Sequence, residues 1–554
     1  MNELHKSRPL VWGLLVAFTL AWLYVLGIRT LVPPDEGRYA EMAREMWLSG
    51  DWITTRLNGI KYFEKPPLQT WMNALTFAVF GLGEWQARLW TGLCGLLGVF
   101  STAYAALKVF GARTGLYAGL VLGSSLYWVA AGQANSLDMA LAGMMTLALA
   151  ALLIAQHDGA GERERRHWML VCWAAMALAV LSKGLVGVVL PGAVLVLYTL
   201  ASRDWNIWAR LNMVRGLLLF FAIATPWFVL VGLKNPEQPH FFFIREHFER
   251  FVNTDHNRTG AWYYFVGPLV AGSAPWLGIA LQSLAAAVRP GAERTRFQPR
   301  TMLVAWAGFI FFFFSYSSSK LPGYIVPVFP ALAILGALFL ASAPRRDRML
   351  AAALPMLTGV AALVLAWKAP GMLGKPGEMQ LVEAYQPWVA GAGLVSLLGG
   401  ALAMALARLP ERRDLMVMVL AVSGFASTEM VLTGFEVYGK HRAATAMIAP
   451  IKAELTPAST VFAVGTYEQS LPFYLERTVV LVDYLDEFSF GLQQEPHLAI
   501  PTVDAFVTRW TADARAGVRD FAVMREDMYR RLQQQGVTMR VVAQDTRRMV
   551  VANR

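Results

Sequence analysis

A chain of 554 residues that is 56% apolar and only 16% charged, with a mean hydropathy of +0.43, is excluded from the class of water-soluble globular proteins. Its net charge of +11 would suit a nucleic-acid binder. Short basic loops between apolar spans produce the same excess, so the charge is read as membrane topology and no nucleic-acid partner is expected.

The N-terminal MNELHKSRPL precedes an apolar run too long for a signal peptide and without a small-residue cleavage site, so residues 9–31 are read as a retained first helix. Lys6 and Arg8 before it assign its N-terminus to the cytoplasm and the next segment to the outside. That segment opens a first external loop, residues 32–86, and reads PPDEGRYAEMAREMWLSGDWITTRLNGIKYFEKPP from Pro33 to Pro67. Asp35 and Glu36 mark one end of the stretch, and Glu64 and Lys65 the other. Within it GRYAEMAREMWL has the apolar spacing of an amphipathic helix lying in the membrane interface, with Asp35 as its cap.

Apolar runs at residues 88–110, 114–131 and 138–154 lead to the basic HDGAGERERRH inside; Cys94 and Cys172 both lie in apolar runs, which argues against a disulfide or a thiolate metal site. The runs at 168–180 and 185–200 meet at an outside turn containing Lys183. A second large external loop, 234–262, carries HFFFIREHFERFVNTDHNRTGAWYYF. Runs at 263–288, 301–316 and 324–341 follow, with SSSKLPG outside between the last two, and the remaining spans end near residue 435. The alternation predicts a polytopic α-helical membrane protein with about 13 transmembrane helices over residues 1–435. Residues 436–554 are soluble in character: STVFAVG, TVVLVDY, GVRDFAVM and VTMRVVAQ read as strands, SLPFYLER and EDMYRRLQQQG as helices. This predicts a small external α/β domain, and without a Gly-rich phosphate loop its expected role is docking or covering.

The loops rich in ionisable groups all open on the external side. Asp35, Glu36, Glu64, Lys65, Asp138, Arg245, Glu246, His247, Glu249, Arg250 and Lys320 are therefore expected to share one cavity at the outer membrane surface. Plainer readings compete: Asp138 opens an apolar helix and can serve only as its cap, and Lys65 before Pro66 can be a snorkelling interfacial lysine. The aromatic residues of 234–262 read as an interfacial belt. Together the groups fit a transferase with a membrane-embedded, phosphate-linked donor. A lipid phosphate leaving group needs a fixed cation, which Lys65 with Arg250 or Lys320 would supply, while carboxylates near the sugar act as base, orient hydroxyls or steady positive charge. Glu64 with His247 offers a pair for a divalent metal ion, although no spacing is diagnostic of one. No organic cofactor is expected.

PPDEGRYAEMAREM, YFEKPPL, NSLDMAL and SSSKLPGYIVPVFPALA, in that order, resemble the GT-C glycosyltransferases of the ArnT type, lipid A 4-amino-4-deoxy-L-arabinose transferases, and the related dolichyl-phosphate-mannose-protein mannosyltransferases. The resemblance covers the membrane part and extends to the C-terminal domain. It implies a GT-C fold and transfer of aminoarabinose from an undecaprenyl-phosphate-linked donor to lipid A phosphates at the periplasmic face of a bacterial inner membrane. Resistance to polymyxin and cationic peptides is the implied consequence. Asp35, Glu36 and Asp138 become the catalytic candidates, and Lys65, Arg250, Lys320, Tyr62 and Tyr324 the carrier-phosphate site. The implied partners are the two lipid substrates and membrane lipids around a monomer.

An ionised phosphate acceptor needs no general base, so Asp35 reads as orienting the acceptor or contacting the donor; a Ser or Thr acceptor would want a base. A transferase acting on protein or another glycan is one alternative. A lipid-linked sugar transporter or flippase is another, but it would place charges near the bilayer midplane and show internal repeats, and neither is seen.

Overall fold

The computed structural model describes residues 4–249, 260–287, 296–373 and 378–554, without the side chains of 247–249 and 373. Helices dominate because a lipid-embedded backbone must satisfy its own N–H and C=O groups. In chain order the first elements are α1 (Arg8–Val25), α2 (Asp35–Ser49), the hairpin β1 (Arg56–Leu57) and β2 (Ile60–Lys61), then α3 (Leu68–Phe80) and α4 (Glu84–Phe110). α5 (Ala112–Ser124), α6 (Leu126–Gly132), α7 (Leu137–Gln156) and α8 (Glu162–Lys183) follow.

Among the described residues nine helices are long and apolar enough to cross a membrane. Two bent pairs, α5 with α6 (66°) and Val266–Gly272 with Leu277–Ala287 (113°), raise the number to eleven. The expected count of about 13 is reached only by adding α8, whose first turns are charged, and Val186–Ser202, which has 17 residues. Arg345–Leu373 and Met379–Ala407 are the longest described helices of this part, with Pro370 and Pro387 inside them. The bundle is centred on α7, which is apolar all round and buried along nearly its whole length; α1 keeps only Trp22 buried and lines the outside.

The soluble unit follows the last long helix, Arg413–Gly434. Its six-stranded sheet comprises β3 (Val461–Val464), β4 (Val480–Val482), β5 (Ala499–Ile500), β6 (Phe521–Met524), β7 (Arg540–Gln544) and β8 (Met549–Ala552), in the order β5-β4-β3-β6-β8-β7. β3 to β6 pair in parallel, and β8 is antiparallel to both β6 and β7. β3, β6 and β8 are buried throughout, so their continuous apolar runs have helices or the bundle on either side.

α2 departs from the interfacial placement expected of it. Glu41 and Arg44 on its polar side are buried, joined by two hydrogen bonds of 2.7 and 2.6 Å, because the soluble unit covers that side. The two units meet through complementary backbone groups. Asn58 Nδ2 donates to Val479 O and Val479 N to Asn58 Oδ1, each at 2.7 Å. Arg56 grips Glu495 through two bonds of 2.9 Å, and Ser470 Oγ donates to Leu31 O at 2.9 Å. Gly37 makes the approach possible, since a Cβ there would lie 2.6 Å from Ser470 Cα and 2.7 Å from its nitrogen.

Candidate active site

α7 begins at Leu137, which puts Asp138 in its first turn. No side-chain bond caps that helix; the Asp138 carboxylate instead pairs with the ammonium of Lys183, the last residue of α8. The Lys183 nitrogen lies 4.4 Å from the centre of the Tyr324 ring, a cation–π contact. Gly323 lets the neighbouring backbone close on this pair: a Cβ there would fall 2.6 Å from Asp138 Cγ. A cation, a carboxylate and an aromatic face are thus fixed at the end of the most buried helix.

Asp35 opens α2 directly after Pro34. Its carboxylate is 48% exposed and accepts from Arg38 at 3.1 Å, and Arg38 turns its other nitrogen to Glu487 of the soluble unit at 2.8 Å. Tyr62 places its hydroxyl 3.5 Å from the same Glu487. Burial pushes the Glu487 carboxyl above the usual range; Arg38 opposes the shift, while Glu64 and Asp486 add to it. Tyr39 is buried between the acids. Burial first, then the charge of Asp35, raises its hydroxyl well above the ordinary value, with Glu64 and Asp138 contributing. Lys183 likewise sits in the field of Asp35 as well as Asp138. Asp35, Glu64 and Asp138 therefore act on one region.

A polar cavity of 1090 Å³ opens beside this region, between the first loop and the soluble unit. Arg38, Tyr62, Glu64, Glu246, Gln469 and Glu487 are part of its wall. Lys65 stands behind Glu64, its ammonium donating to the Glu64 carbonyl at 2.8 Å and to Glu246 at 3.1 Å, so it is part of an ion-pair network rather than a snorkelling lysine. Arg250 and the His247 side chain lie outside the described residues. Among the described residues no group of three or more His, Cys, Asp or Glu side chains could hold a metal ion, which leaves Glu64 as the one described member of the expected pair.

Several sequence expectations need correction. Of the residues expected to share one cavity, Glu64, Arg245 and Glu246 line it, and Asp35, Glu36, Lys65, Asp138 and Lys320 do not. For Glu36 both oxygens are engaged by Arg88, at 2.6 and 2.9 Å, with the Asn135 and Val32 N–H groups adding bonds of 2.8 and 2.9 Å. It is a buried anchor between α2 and α4. Lys320 is 6% exposed and donates to the carbonyls of Phe314, Ser315 and Ser317 at 3.2, 2.6 and 2.7 Å, so its ammonium closes the end of Pro299–Tyr316. Burial lowers its pKa.

Sequence reasoning passed over Lys183, Arg38 and Glu487. A signal existed for Lys183, a lone cation ending an apolar run in LSKG. Arg38 adjoins the acidic pair in DEGR, whereas nothing in SLPFYLERTVVLVDYLDEFSF singles out Glu487 before the soluble unit is docked.

This arrangement of a helical bundle, an acidic first loop and a docked α/β unit matches known proteins over both of its parts. Residues 64–230 match the model of the dolichyl-phosphate-mannose-protein mannosyltransferases, and residues 447–553 that of the aminoarabinose transferase C-terminal domain. An undecaprenyl phosphate-α-4-amino-4-deoxy-L-arabinose arabinosyl transferase of Pectobacterium carotovorum is 33% identical over 411 residues, 69% of this chain and 70% of that one. The counterpart from Aeromonas salmonicida is 32% identical, with the match spanning only 58% of that protein's length. The crystal structure of ArnT from Cupriavidus metallidurans bound to undecaprenyl phosphate superposes with a TM-score of 0.92 at 41% identity and covers 99% of each chain. The apo oligosaccharyltransferase of Archaeoglobus fulgidus, at 13% identity, 93% of this chain, 70% of that one and a TM-score of 0.51, shares the fold. The acidic first loop, the α7–α8 ion pair and the docked sheet are thus features of a member of the undecaprenyl phosphate-aminoarabinose arabinosyl transferase family, to which this chain belongs.

Proposed function

We propose that this chain is an integral membrane glycosyltransferase that moves 4-amino-4-deoxy-L-arabinose from undecaprenyl phosphate to the phosphate groups of lipid A, at the periplasmic face of the inner membrane, and so confers resistance to polymyxin. In this reading the N-terminus is cytoplasmic and the soluble unit periplasmic. The observation that carries it is a cavity walled by Arg38, Tyr62, Glu64 and Glu246, whose direct partners include Asp35 (to Arg38) and Lys65 (to Glu64 and Glu246), in a chain that belongs to this family. The undecaprenyl phosphate bound to the Cupriavidus relative supports a polyprenyl phosphate donor.

The chemistry is a displacement at the sugar's anomeric carbon. An acceptor phosphate oxygen forms the new C–O bond, and the bond to the undecaprenyl phosphate oxygen breaks. A phosphate monoester is ionised at neutral pH, so no proton has to be removed from the nucleophile. The leaving phosphate carries away the bonding electrons and is stabilised by preorganised cations, with Lys65 the described candidate. Asp138 holds Lys183 against the Tyr324 face, so that this charge is fixed before substrate arrives. Asp35, half exposed at the start of α2 and bonded to Arg38, presents its carboxylate where it would meet the donor's amine or a sugar hydroxyl.

Mass spectrometry of lipid A from cells that make the donor, with and without this gene, tests the reaction. A pentosamine-sized addition that disappears on deletion is the expected result. Identical lipid A in the two strains would overturn the proposal.

A further inference from the structure

The sheet of the soluble unit reverses its winding between β3 and β6: β4 and β5 extend it on one side of β3, and β6 and β8 on the other. In an open parallel sheet such a switch point leaves a crevice outside the carboxyl ends of the two strands, where ligands bind. Here β3, β4 and β6 run out toward Thr466, Tyr484 and Arg525, and all three line the cavity of the candidate active site. The crevice opens onto that cavity, whose wall also carries Arg38, Tyr62 and Glu64 of the first loop.

The charges on this wall are unevenly used. Arg38 and Arg548 are each held by a carboxylate, Glu487 and Glu468, both at 2.8 Å. Arg442, Arg525 and Arg547 are exposed and line the same cavity, and among the described residues none of their three guanidiniums has a carboxylate partner or a side-chain hydrogen bond. Their mounts are rigid. Arg525 stands at the start of the helix Glu526–Gln534, directly after β6. Arg547 sits at the tip of the β7–β8 hairpin, where Asp545 accepts from the N–H groups of Arg547 and Arg548 at 2.7 and 2.8 Å. Arg548 bolts that tip to the end of Glu436–Arg442 through the carbonyls of His441 and Arg442, at 3.0 and 2.6 Å. Asp486, the acid on the same rim, accepts from the Tyr484 hydroxyl at 3.2 Å.

We propose that Arg442, Arg525 and Arg547 bind a phosphate monoester of the acceptor lipid, making the soluble unit the wall that recognises the acceptor. The inference rests on the reading above, in which the acceptor is a phosphorylated lipid. Two anionic groups brought into one cavity repel unless each has its own cations. Lys65 borders the cavity only through Glu64 and Glu246 of the two loops, whereas Arg525 and Arg547 stand on the soluble unit and line it directly. Guanidinium forks match phosphate oxygens in pairs, and their weak hydration suits an exposed rim that must release its own water on binding.

The test uses the full chain in phosphatidylcholine nanodiscs, wild type and the double variant Arg525→Gln/Arg547→Gln. Binding of diphosphoryl lipid A is compared with binding of its dephosphorylated form, with inorganic phosphate and phosphatidylglycerol vesicles as competitors and undecaprenyl phosphate binding as a separate readout. The wild type should prefer the diphosphoryl form by about tenfold or more. The double variant should lose that preference while still binding undecaprenyl phosphate, and Arg525→Lys/Arg547→Lys should recover part of it. A preserved preference in the Gln variant would overturn the proposal, as would equal loss of undecaprenyl phosphate binding. Equal competition by inorganic phosphate or by phosphatidylglycerol would overturn it too, by assigning the site to a free anion or to any anionic headgroup. A wild type that binds diphosphoryl lipid A through these arginines yet transfers no sugar to it would sink the proposed reaction and leave this site standing.

Discussion

A carboxylate with four donors around it has no lone pair left for chemistry, and Glu36 is in that position between Arg88, Asn135 and Val32. Glu36→Gln keeps its shape but leaves the fully buried Arg88 without a counter-charge, a change that costs about 3–5 kcal/mol. The expected outcome is a marked drop in the thermal unfolding temperature of the detergent-solubilised chain, with near-normal kcat in the fraction that stays folded. An unchanged melting temperature with lost turnover would return Glu36 to the catalytic set. Ionisable side chains are scarce in an apolar sequence, which is why Asp35, Asp138, Lys65 and Glu36 stand out on reading it. Whether each one reacts or only supports depends on partners such as Arg88, or the carbonyls around Lys320, that tertiary packing alone brings in.

At the scale of elements, the β1–β2 hairpin is clamped to the soluble unit by Arg56 and Glu495. Burial works against the charge of Glu495, but Arg56 and the Lys61 N–H outweigh it and hold its pKa below the ordinary 4.5. Because the folded-state value is the lower one, the clamp contributes fully above pH 4.5 and is lost as pH falls below that, through the folded pKa. A partly exposed pair of this kind is worth about 1 kcal/mol, or roughly a fivefold change in an opening equilibrium. Hydrogen-exchange protection of the Leu57 and Ile60 amides should therefore fall by roughly that factor between about pH 5 and about pH 3, after correction for intrinsic rates. Glu495→Gln should show the lower protection at neutral pH already, and pH-independent protection in the wild type would refute the clamp. Elements with a strong period or a long apolar run were legible: the bundle, β3, β4, β6 and β7. β5 has two residues, too few to carry a pattern, and β8, which closes the chain directly after the polar DTRR turn, was not legible as a strand. α2 showed its apolar face, but no sequence period says what will cover the polar one.

For the whole molecule, the contact that matters most is a glycine. Gly37→Ala would push a methyl against the Ser470 backbone, which cannot yield, so α2 and the soluble unit must part and the cavity between them must widen. We expect more than about a tenfold loss of transfer, the near-attack geometry being sensitive to shifts of this size, with helical content unchanged by circular dichroism and faster proteolytic release of residues 447–553. Transfer at the wild-type rate would show that the cavity does not depend on this approach. The docking of the two units was the least legible feature of all. It is built from pairs such as Asn58 with Val479, each an ordinary residue in its own segment.

Those pairs also set a clock. Leu31 and Ser470 are 439 positions apart, and Asn58 and Val479 are 421 apart, so one wall of the cavity leaves the ribosome long before the other exists. At roughly 5–20 residues per second the interval is about 20–90 s. During it the first loop is already in place but has nothing to close against, and a chain halted anywhere before the final strands carries half a site. On the proposed reading, the second wall of the site exists only once the last hundred or so residues have been made.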